Sequence, residues 1–424
     1  MTIKNNIPVG YKDSAVGVIP QEWKVKRLVD LCQNMGDYGI NAPAVPYQED
    51  LPTYLRITDI DGWGKFIETD KASVDNPNSS QFILREGDIV FARTGATVGK
   101  TYLYDSKDGQ LVFAGFLIRF TPNPNKAIPY YIKTCTETAT YWNWVRIVSQ
   151  RSGQPGINSV EYGAMKLAIP PLAEQRKITE ILGVWDKVIE KQSRLIERLE
   201  LRKRGLMQRL LSGRTRLPGF TSPWQKVKLG EIGKTYNGLT GKSKEDFEEG
   251  NAKFIPYINV FSNEMVDTKK LGVVNVNESE KQNMVKYGDI FFTVSSETPD
   301  EVGMASVLLE DIGNTYLNSF CFGYRLNNFE VLNPIFASYI LRGDRFRNYM
   351  MVLAQGSTRF NISKNEVMRL RIELPSLPEQ KAIAEVLTTA DDEIATYRKK
   401  LDALRLQKRG LMQQLLTGKT RVKI

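Results

Sequence analysis

The chain has 424 residues, 42% hydrophobic and 25% charged, with 58 Lys and Arg against 48 Asp and Glu for a formal net charge of +10. That length carries two or three domains, each able to bury its own core, and the balance is that of an ordinary soluble globular protein. There is no histidine, which removes the commonest general base, every Ser-His or Cys-His pairing and the commonest metal ligand.

The start, MTIKNNIPVGYKDS, has no apolar signal core, and no apolar run reaches the length of a membrane span, about eighteen residues, so a cytoplasmic location is expected. Cys32, Cys135 and Cys321 lie far apart without a CxxC pair, which argues against a zinc site or disulfide framework and suits a reducing compartment. The first variable region reads as α+β with a mostly β core: YLRITDIDGWG from Tyr54 as a strand ending in polar side chains, then DIVFAR, TYLYD and LVFAGFLIRF as strands. IPYYIKTCTETATYWNWV reads as helix, with Trp142 and Trp144, like Trp185 further on, in packing roles. RTGATVGKT, from Arg93, nearly spells a phosphate loop, but Gly95 and Gly99 are one residue too close, and TYLYD follows as a strand rather than a helix. QRSGQPGINS from Gln150 is a Gly-rich loop.

Residues 169–216 then align without a gap to residues 374–421, at a constant offset of 205 and with close to half the positions identical. WKVKRLVDL from Trp23 is echoed by WQKVKLGEI from Trp224, and EGDIVFA from Glu86 by YGDIFFT from Tyr287, so the chain is one unit written twice. The second variable region repeats the pattern, with YINVFSNEM from Tyr257, DIFFTV and SFCFGYRL as strands and LNPIFASYILRGDRFRNYMM as helix. Each repeated segment reads as a long helix, closed by Gly213 and Gly418, of roughly 55 to 60 Å at about 1.5 Å per residue. Steps of four and three give the seam Ile178, Leu182, Trp185, Ile189, Ile196 and Leu199 in the first copy, and Ile383, Leu387, Ile394, Leu401 and Leu404 in the second. Gln192, Lys203 and Lys408 interrupt it, and coiled-coil pairing is expected, antiparallel if a pseudo-two-fold axis relates the halves. Gly205 and Gly410, inside these helices, predict a close contact or a kink, because each costs about 1 kcal/mol against Ala. The positive charge lies on the helices: +6 over 174–216 and +4 over 379–424, against +1 over 1–173 and −1 over 217–378. A polyanionic partner fits this charge, and so does a solvated helix face.

Taken together and in order, YKDSAVGVIPQEWKVKRL, IPPLAEQRKI and LPSLPEQKAI, the two KRGLMQ endings with LLSGRTR and LLTGKTR, and the restart LPGFTSPWQKVKLGEI resemble the specificity subunit of a type I restriction-modification enzyme over essentially the whole chain. The resemblance implies two target recognition domains, 1–172 and 214–377, and two spacer helices, 173–213 and 378–424, paired as an antiparallel coiled coil. It implies recognition of double-stranded DNA at an asymmetric bipartite site. It further implies docking of modification subunits and, through them, restriction subunits. S-adenosylmethionine, ATP and Mg2+ are expected in those partners, with no cofactor, metal or catalytic residue on this chain.

In that light Arg93, Thr94 and Lys100 become candidate DNA contacts, Arg93 suited to a bidentate guanine contact and Lys100 to a phosphate, against a structural turn with incidental charges. The corresponding loop of the second half, TVSSETPDEVGMAS, offers Ser295, Ser296 and Thr298. Arg56, Thr58 and Asp59, and Asn259, Ser262 and Asn263, are candidates at equivalent places; Arg151, Gln154, Arg359 and Asn361 come from the two Gly-rich loops. Two rivals stand beside this reading: a coiled-coil adaptor without sequence-specific DNA binding, and a self-contained methyltransferase or nuclease. The second is poorly served, since NPIF at Asn333 lacks the second proline of an amino-methyltransferase site and PDE at Pro299 lacks its acidic-x-Lys partner.

Overall fold

The run IVFA at Ile89–Ala92 is apolar at every position because the strand is buried on both faces, as seen in the computed structural model, which describes residues 7–151 and 153–424. Ile89 and Phe91 join one cluster with Ile118 and Phe120, while Val90 and Ala92 join another with Leu117 and Tyr102, as the two-residue period of a strand requires. The strand belongs to an antiparallel sheet ordered Asp37–Tyr38, Leu117–Phe120, Ile89–Ala92, Thr101–Leu103. One face packs on a sheet ordered Leu111–Phe113, Thr53–Leu55, Ala72–Ser73, Val45–Pro46, whose first pair is parallel. The other face carries helices Pro129–Cys135 and Ala139–Val148.

The chain divides into two compact units, Met1–Ser193 with Lys400–Ile424, and Arg194–Lys399. Residues 1–6, and Ser152 of the Gly-rich loop, lie outside the described residues. The second unit repeats the first: Gly233–Asn237, Cys321–Leu326, Ile290–Thr293 and Ala305–Val307 form the four-stranded sheet, and Gly272–Val274, Ala252–Ile255 and Thr315–Leu317 the smaller one. Helices Pro334–Ile340 and Asp344–Leu353 cover its opposite face. In each unit the tryptophan-led repeat becomes a strand that pairs antiparallel with the strand before a long helix: Lys24–Arg27 with Lys166–Ile169, and Gln225–Lys228 with Arg371–Leu374.

The long helices run Leu172–Leu210 and Leu377–Leu415, 39 residues each, about 58 Å at about 1.5 Å per residue. Ile178, Leu182, Ile196, Leu199, Ile383, Leu387, Ile394 and Leu401 are buried, and Trp185, Ile189 and Leu404 half-buried. In the first unit Ile178 and Leu182 share a cluster with Met412, Leu415 and Leu416; in the second Ile383 and Leu387 share one with Leu210 and Leu211. Within each unit, therefore, the start of one helix lies against the end of the other.

The Glu-Gln pair that opens both helices now has a physical reason. Gln175 accepts from the Ile128 amide at 2.9 Å and donates to Pro170 O at 2.9 Å, tying the helix to its domain. Gln380 does the same with the Asn333 amide at 2.9 Å and Pro375 O at 3.0 Å. Glu174 receives Arg421, with Nε to Oε1 at 2.7 Å, and Glu379 receives Arg216 at 2.5 Å. Both contacts recur 205 positions on.

Three expectations are corrected. Tyr257–Ser262 is a short helix rather than a strand, because Arg342 donates to the carbonyls of Val260, Phe261 and Asn263 at its end, where helix carbonyls lack partners. LVFAGFLIRF is two strands in different sheets, broken at Gly115. Gly205 and Gly410 sit in unbroken helix, and a Cβ there would meet only Arg209 Nη2 at 3.7 Å in the first case and nothing within 4 Å in the second.

All three cysteines are free and buried, and burial pushes each thiol up to about 12. Native protein at pH 8 should thus resist iodoacetamide, with alkylation by mass spectrometry appearing only as denaturant opens each unit. No helix among the described residues is long and apolar enough to cross a membrane.

Candidate nucleic-acid interface

RTGATVGKT is the connection between two antiparallel strands, Ile89–Ala92 and Thr101–Leu103, with a single 3-10 turn at Gly95–Thr97. No helix starts behind it, and Lys100 Nζ donates to Ile60 O at 2.9 Å instead of facing a phosphate cradle. The loop is held firmly at its base. Tyr162 Oη accepts from the Gly99 amide at 3.1 Å and donates to Ala92 O at 2.8 Å, and Tyr141 Oη donates to Gly99 O at 2.7 Å. Gly99 has φ +89°, and a Cβ would lie 2.7 Å from Val145 Cγ1, so glycine is required there on two grounds.

The Gly-rich loop before the first long helix lies alongside. The Gly95 amide donates to Pro155 O at 3.0 Å, the Ile157 amide to Arg93 O at 2.9 Å, and Thr94 bridges Gly156. Gln154 Nε2 would lie 2.9 Å from a Cβ on Gly95. Arg93, Thr94 and Gln154 are thus brought together on one rim. The Arg93 guanidinium lies 4.9 Å over the Tyr38 ring, and among the described residues no carboxylate pairs with it. Arg151 is otherwise engaged: Nη1 donates to Val148 O and Gln150 O, both at 3.1 Å, at the end of helix Ala139–Val148, and Nη2 pairs with Glu161 at 2.5 Å.

The second unit makes the corresponding join with different side chains. Ser295–Ser296 pairs with Phe360–Asn361, and the Asn361 amide donates to Gln355 O at 2.8 Å. Thr298, Arg359 and Asn361 are exposed, Ser295 half-buried, and Arg359 pairs with no carboxylate among the described residues. Ser296 is buried and donates to Glu301 at 3.0 Å, which withdraws its hydroxyl from that rim.

The third candidate group divides. Thr58 and Ser262 are exposed. Asp59 is buried; its carboxylate accepts from the Arg56 amide at 2.8 Å and from the Arg56 guanidinium, which also reaches Asp70 O at 2.7 Å. The hydrogen bonds to Asp59 raise the Arg56 pKa. Asn259 is buried, donating to Asp267 O and Lys270 O at 2.9 and 3.0 Å, and Asn263 donates to Asn259 O at 2.9 Å. Asp59 and Asn259 therefore shape loops and do not face a ligand. Asn333 is a helix cap, accepting from the Phe336 amide at 3.0 Å.

Three features escape a reading of the sequence. Phe116 and Phe320 are 57% and 64% exposed, each immediately before the inner strand of its sheet, and each accepts one equivalent backbone bond, from the Arg93 amide at 3.0 Å and the Val294 amide at 3.1 Å. Both rims thus carry an outward aromatic ring; one signal was its match to the small residue-Phe step before the strand. Arg347 donates to the carbonyls of Asp300, Val302 and Gly303 at 2.6 to 2.8 Å, fixing the second loop. Arg342 makes four carbonyl contacts in all, including Ala305 O at 2.6 Å, and burial lowers its pKa to about 10.

Two like-built rims that differ in their polar side chains suit a protein that recognises two different partner surfaces with one scaffold. The sequence pattern described as the type I restriction modification DNA specificity domain matches twice, at residues 20–201 and 221–406, and the chain belongs to that family. It is a specificity subunit, the DNA sequence-recognition component rather than a catalytic one. It is 27% identical to the putative type I restriction enzyme MjaX specificity subunit of Methanocaldococcus jannaschii, over 97% of each chain. A solved chain of a type I restriction-modification system described for its complex assembly and conformational transition shares the fold at TM-score 0.58 and 18% identity, covering 95% of this chain and 99% of that one. The S subunit from M. genitalium does so at TM-score 0.52 and 15% identity, covering 98% of each.

Proposed function

We propose that the chain reads an asymmetric, two-part site on double-stranded DNA, one half with residues 1–172 and the other with 214–377. The helices, Leu172–Leu210 and Leu377–Leu415 rather than the expected 173–213 and 378–424, then act as an antiparallel coiled-coil spacer that fixes the gap, with a pseudo-two-fold axis relating the halves. The observation that carries this reading is the repeated join between the loop after the buried strand and the Gly-rich loop, kept in both units while its polar side chains change. Different side chains on one scaffold favour different half-sites. The spacer is supported by ion pairs that recur at an offset of 205, Glu174 with Arg421 and Glu379 with Arg216.

Modification subunits would dock on the helices and bring restriction subunits, with S-adenosylmethionine, ATP and Mg2+ bound there, in the cytoplasm. Leu201 and Leu406, at matching positions and 59% and 68% exposed, each stand one turn before a helical glycine, Gly410 with open space and Gly205 with only the Arg209 guanidinium, 3.7 Å from where a Cβ would lie. Such a face lets a partner helix approach closely. Gly205→Ala should therefore raise the stability of the free chain by about 1 kcal/mol in thermal unfolding, while Gly205→Leu weakens capture of the modification subunit in co-purification.

The test of the whole reading is to co-express the chain with the modification subunit encoded beside it, in a host without other DNA methylation, and to map modified adenines by single-molecule sequencing. Methylation at an asymmetric two-part motif with a fixed gap is expected, and exchanging residues 17–168 should change one half only. A soluble complex that methylates no motif would favour the adaptor reading.

A further inference from the structure

We propose that Lys203 and Lys408, the two lysines that interrupt the apolar helix seams, are positioning residues that pin each recognition domain to the helix pair and so restrict which gap between half-sites is accepted. The inference rests on the two-part reading above and deepens it.

Each lysine is largely withdrawn from solvent, its side chain 13% exposed for Lys203 and 11% for Lys408. In the second unit Lys203 Nζ reaches Asp391 of the opposite helix at 2.7 Å and Glu264 of the recognition domain at 3.0 Å. In the first, Lys408 Nζ reaches Asp186 of the opposite helix at 2.6 Å and Glu137 of the recognition domain at 3.5 Å. The other oxygen of each aspartate accepts a tyrosine hydroxyl from a domain helix, Tyr339 on Asp391 at 2.7 Å and Tyr130 on Asp186. Three bodies therefore meet at each lysine: both helices and the recognition domain.

Comparison of the two pins separates function from mere repetition. The helix residues repeat exactly at the offset of 205, Lys203 with Lys408 and Asp186 with Asp391. The domain residues do not. The position matching Glu137 is Arg342, which would repel the lysine, and the acid comes instead from Glu264; the tyrosine likewise comes from a different turn of the matching helix. The contact has been rebuilt with other residues where the domains diverged. Burial works against the charge of Lys203, yet the hydrogen bond with Asp391 and the field of Glu264 outweigh it and raise its pKa, so the pin stays charged at neutral pH.

An ion pair whose lysine is withdrawn from solvent adds little stability, but its directed contacts set an orientation that an apolar side chain of similar size does not. One base pair added to the gap moves a half-site by about 3.4 Å and turns it by about 35°. A domain free to swivel on its helices would follow such a shift; a pinned one would not.

The test uses the full chain in complex with its modification subunit, with Lys203→Met, Lys408→Met and the exchanged pair Lys203→Asp with Asp391→Lys, carried with Glu264→Gln so that the domain side chain donates to the new carboxylate instead of repelling it. For Met variants that melt near the parent temperature, both half-site sequences should persist, while adenine methylation at gaps one base pair longer or shorter rises on the order of tenfold. The exchanged pair should return gap selectivity toward the parent. Unchanged gap selectivity in a folded Met variant, or loss of one half-site's bases instead, overturns the proposal. If the Met variants do not fold, the exchanged pair alone decides: parent-like selectivity supports the pin, and broad gap use with a normal melting temperature refutes it. A parent that methylates no two-part motif refutes the underlying reading, whatever the variants do.

Discussion

Arg93→Ala is expected to weaken discrimination in one half of the DNA target while leaving the other half and the fold unchanged. The guanidinium stacks on Tyr38 at 4.9 Å and has no carboxylate partner among the described residues, so its removal breaks no buried pair. A bidentate base contact carries about 1 to 3 kcal/mol, roughly 5- to 150-fold in affinity for the preferred base over its rivals. Titrating the assembled complex against duplexes varied at one position at a time measures it. Should affinity fall equally for every sequence, with the salt slope reduced by about one, Arg93 holds a phosphate rather than a base. Arg359→Ala is the matching change in the second unit and should act on the other half only. Arg151→Ala supplies the contrast: its contacts are helix-end carbonyls and Glu161, so it should lower local stability without altering base preference.

Regular structure and the repeat were legible in the sequence because both depend on periodicity. IVFA and IFFT announce strands buried on two faces, and the helix seams follow from steps of three and four. The join between the two loops of each unit was not legible, because their matching order along the chain says nothing of which loops touch. What stayed hidden depends on tertiary partners. Asp59 and Asn259 carry base-reading chemistry on paper, but their oxygens and amide groups close their own loops. Tyr257–Ser262 is rich in β-formers and becomes a helix because Arg342, some eighty positions later, takes its terminal carbonyls. Composition cannot distinguish a polar group aimed outward from one turned in.

Glu174→Ala should be a costly change in the first unit. The carboxylate is 1% exposed and accepts from Trp23 Nε1 at 2.9 Å, Arg421 Nε at 2.7 Å and Arg421 Nη2 at 3.1 Å. Its loss strands an indole N–H in the core and leaves the Arg421 guanidinium with Glu22 alone, at 3.1 Å. Arg421 is 38% exposed, so water recovers part of that charge. The expected cost lies near the lower end of the range for a broken buried pair, about 3 kcal/mol. Amide hydrogen exchange reads it directly, as lost protection in the ribbon Lys24–Arg27 with Lys166–Ile169, next to Trp23. Glu174→Gln keeps an acceptor for the indole and should cost less. Glu379→Ala provides the internal comparison: Glu379 pairs with Arg216, but Trp224 Nε1 has no hydrogen-bond partner among the described residues, so only the ion pair is lost. Its effect on the ribbon Gln225–Lys228 with Arg371–Leu374 should be smaller by about 1 kcal/mol, the net worth of one hydrogen bond. Equal losses in the two units would mean that the indole contact contributes nothing and that the ion pair alone seals each domain to its helix.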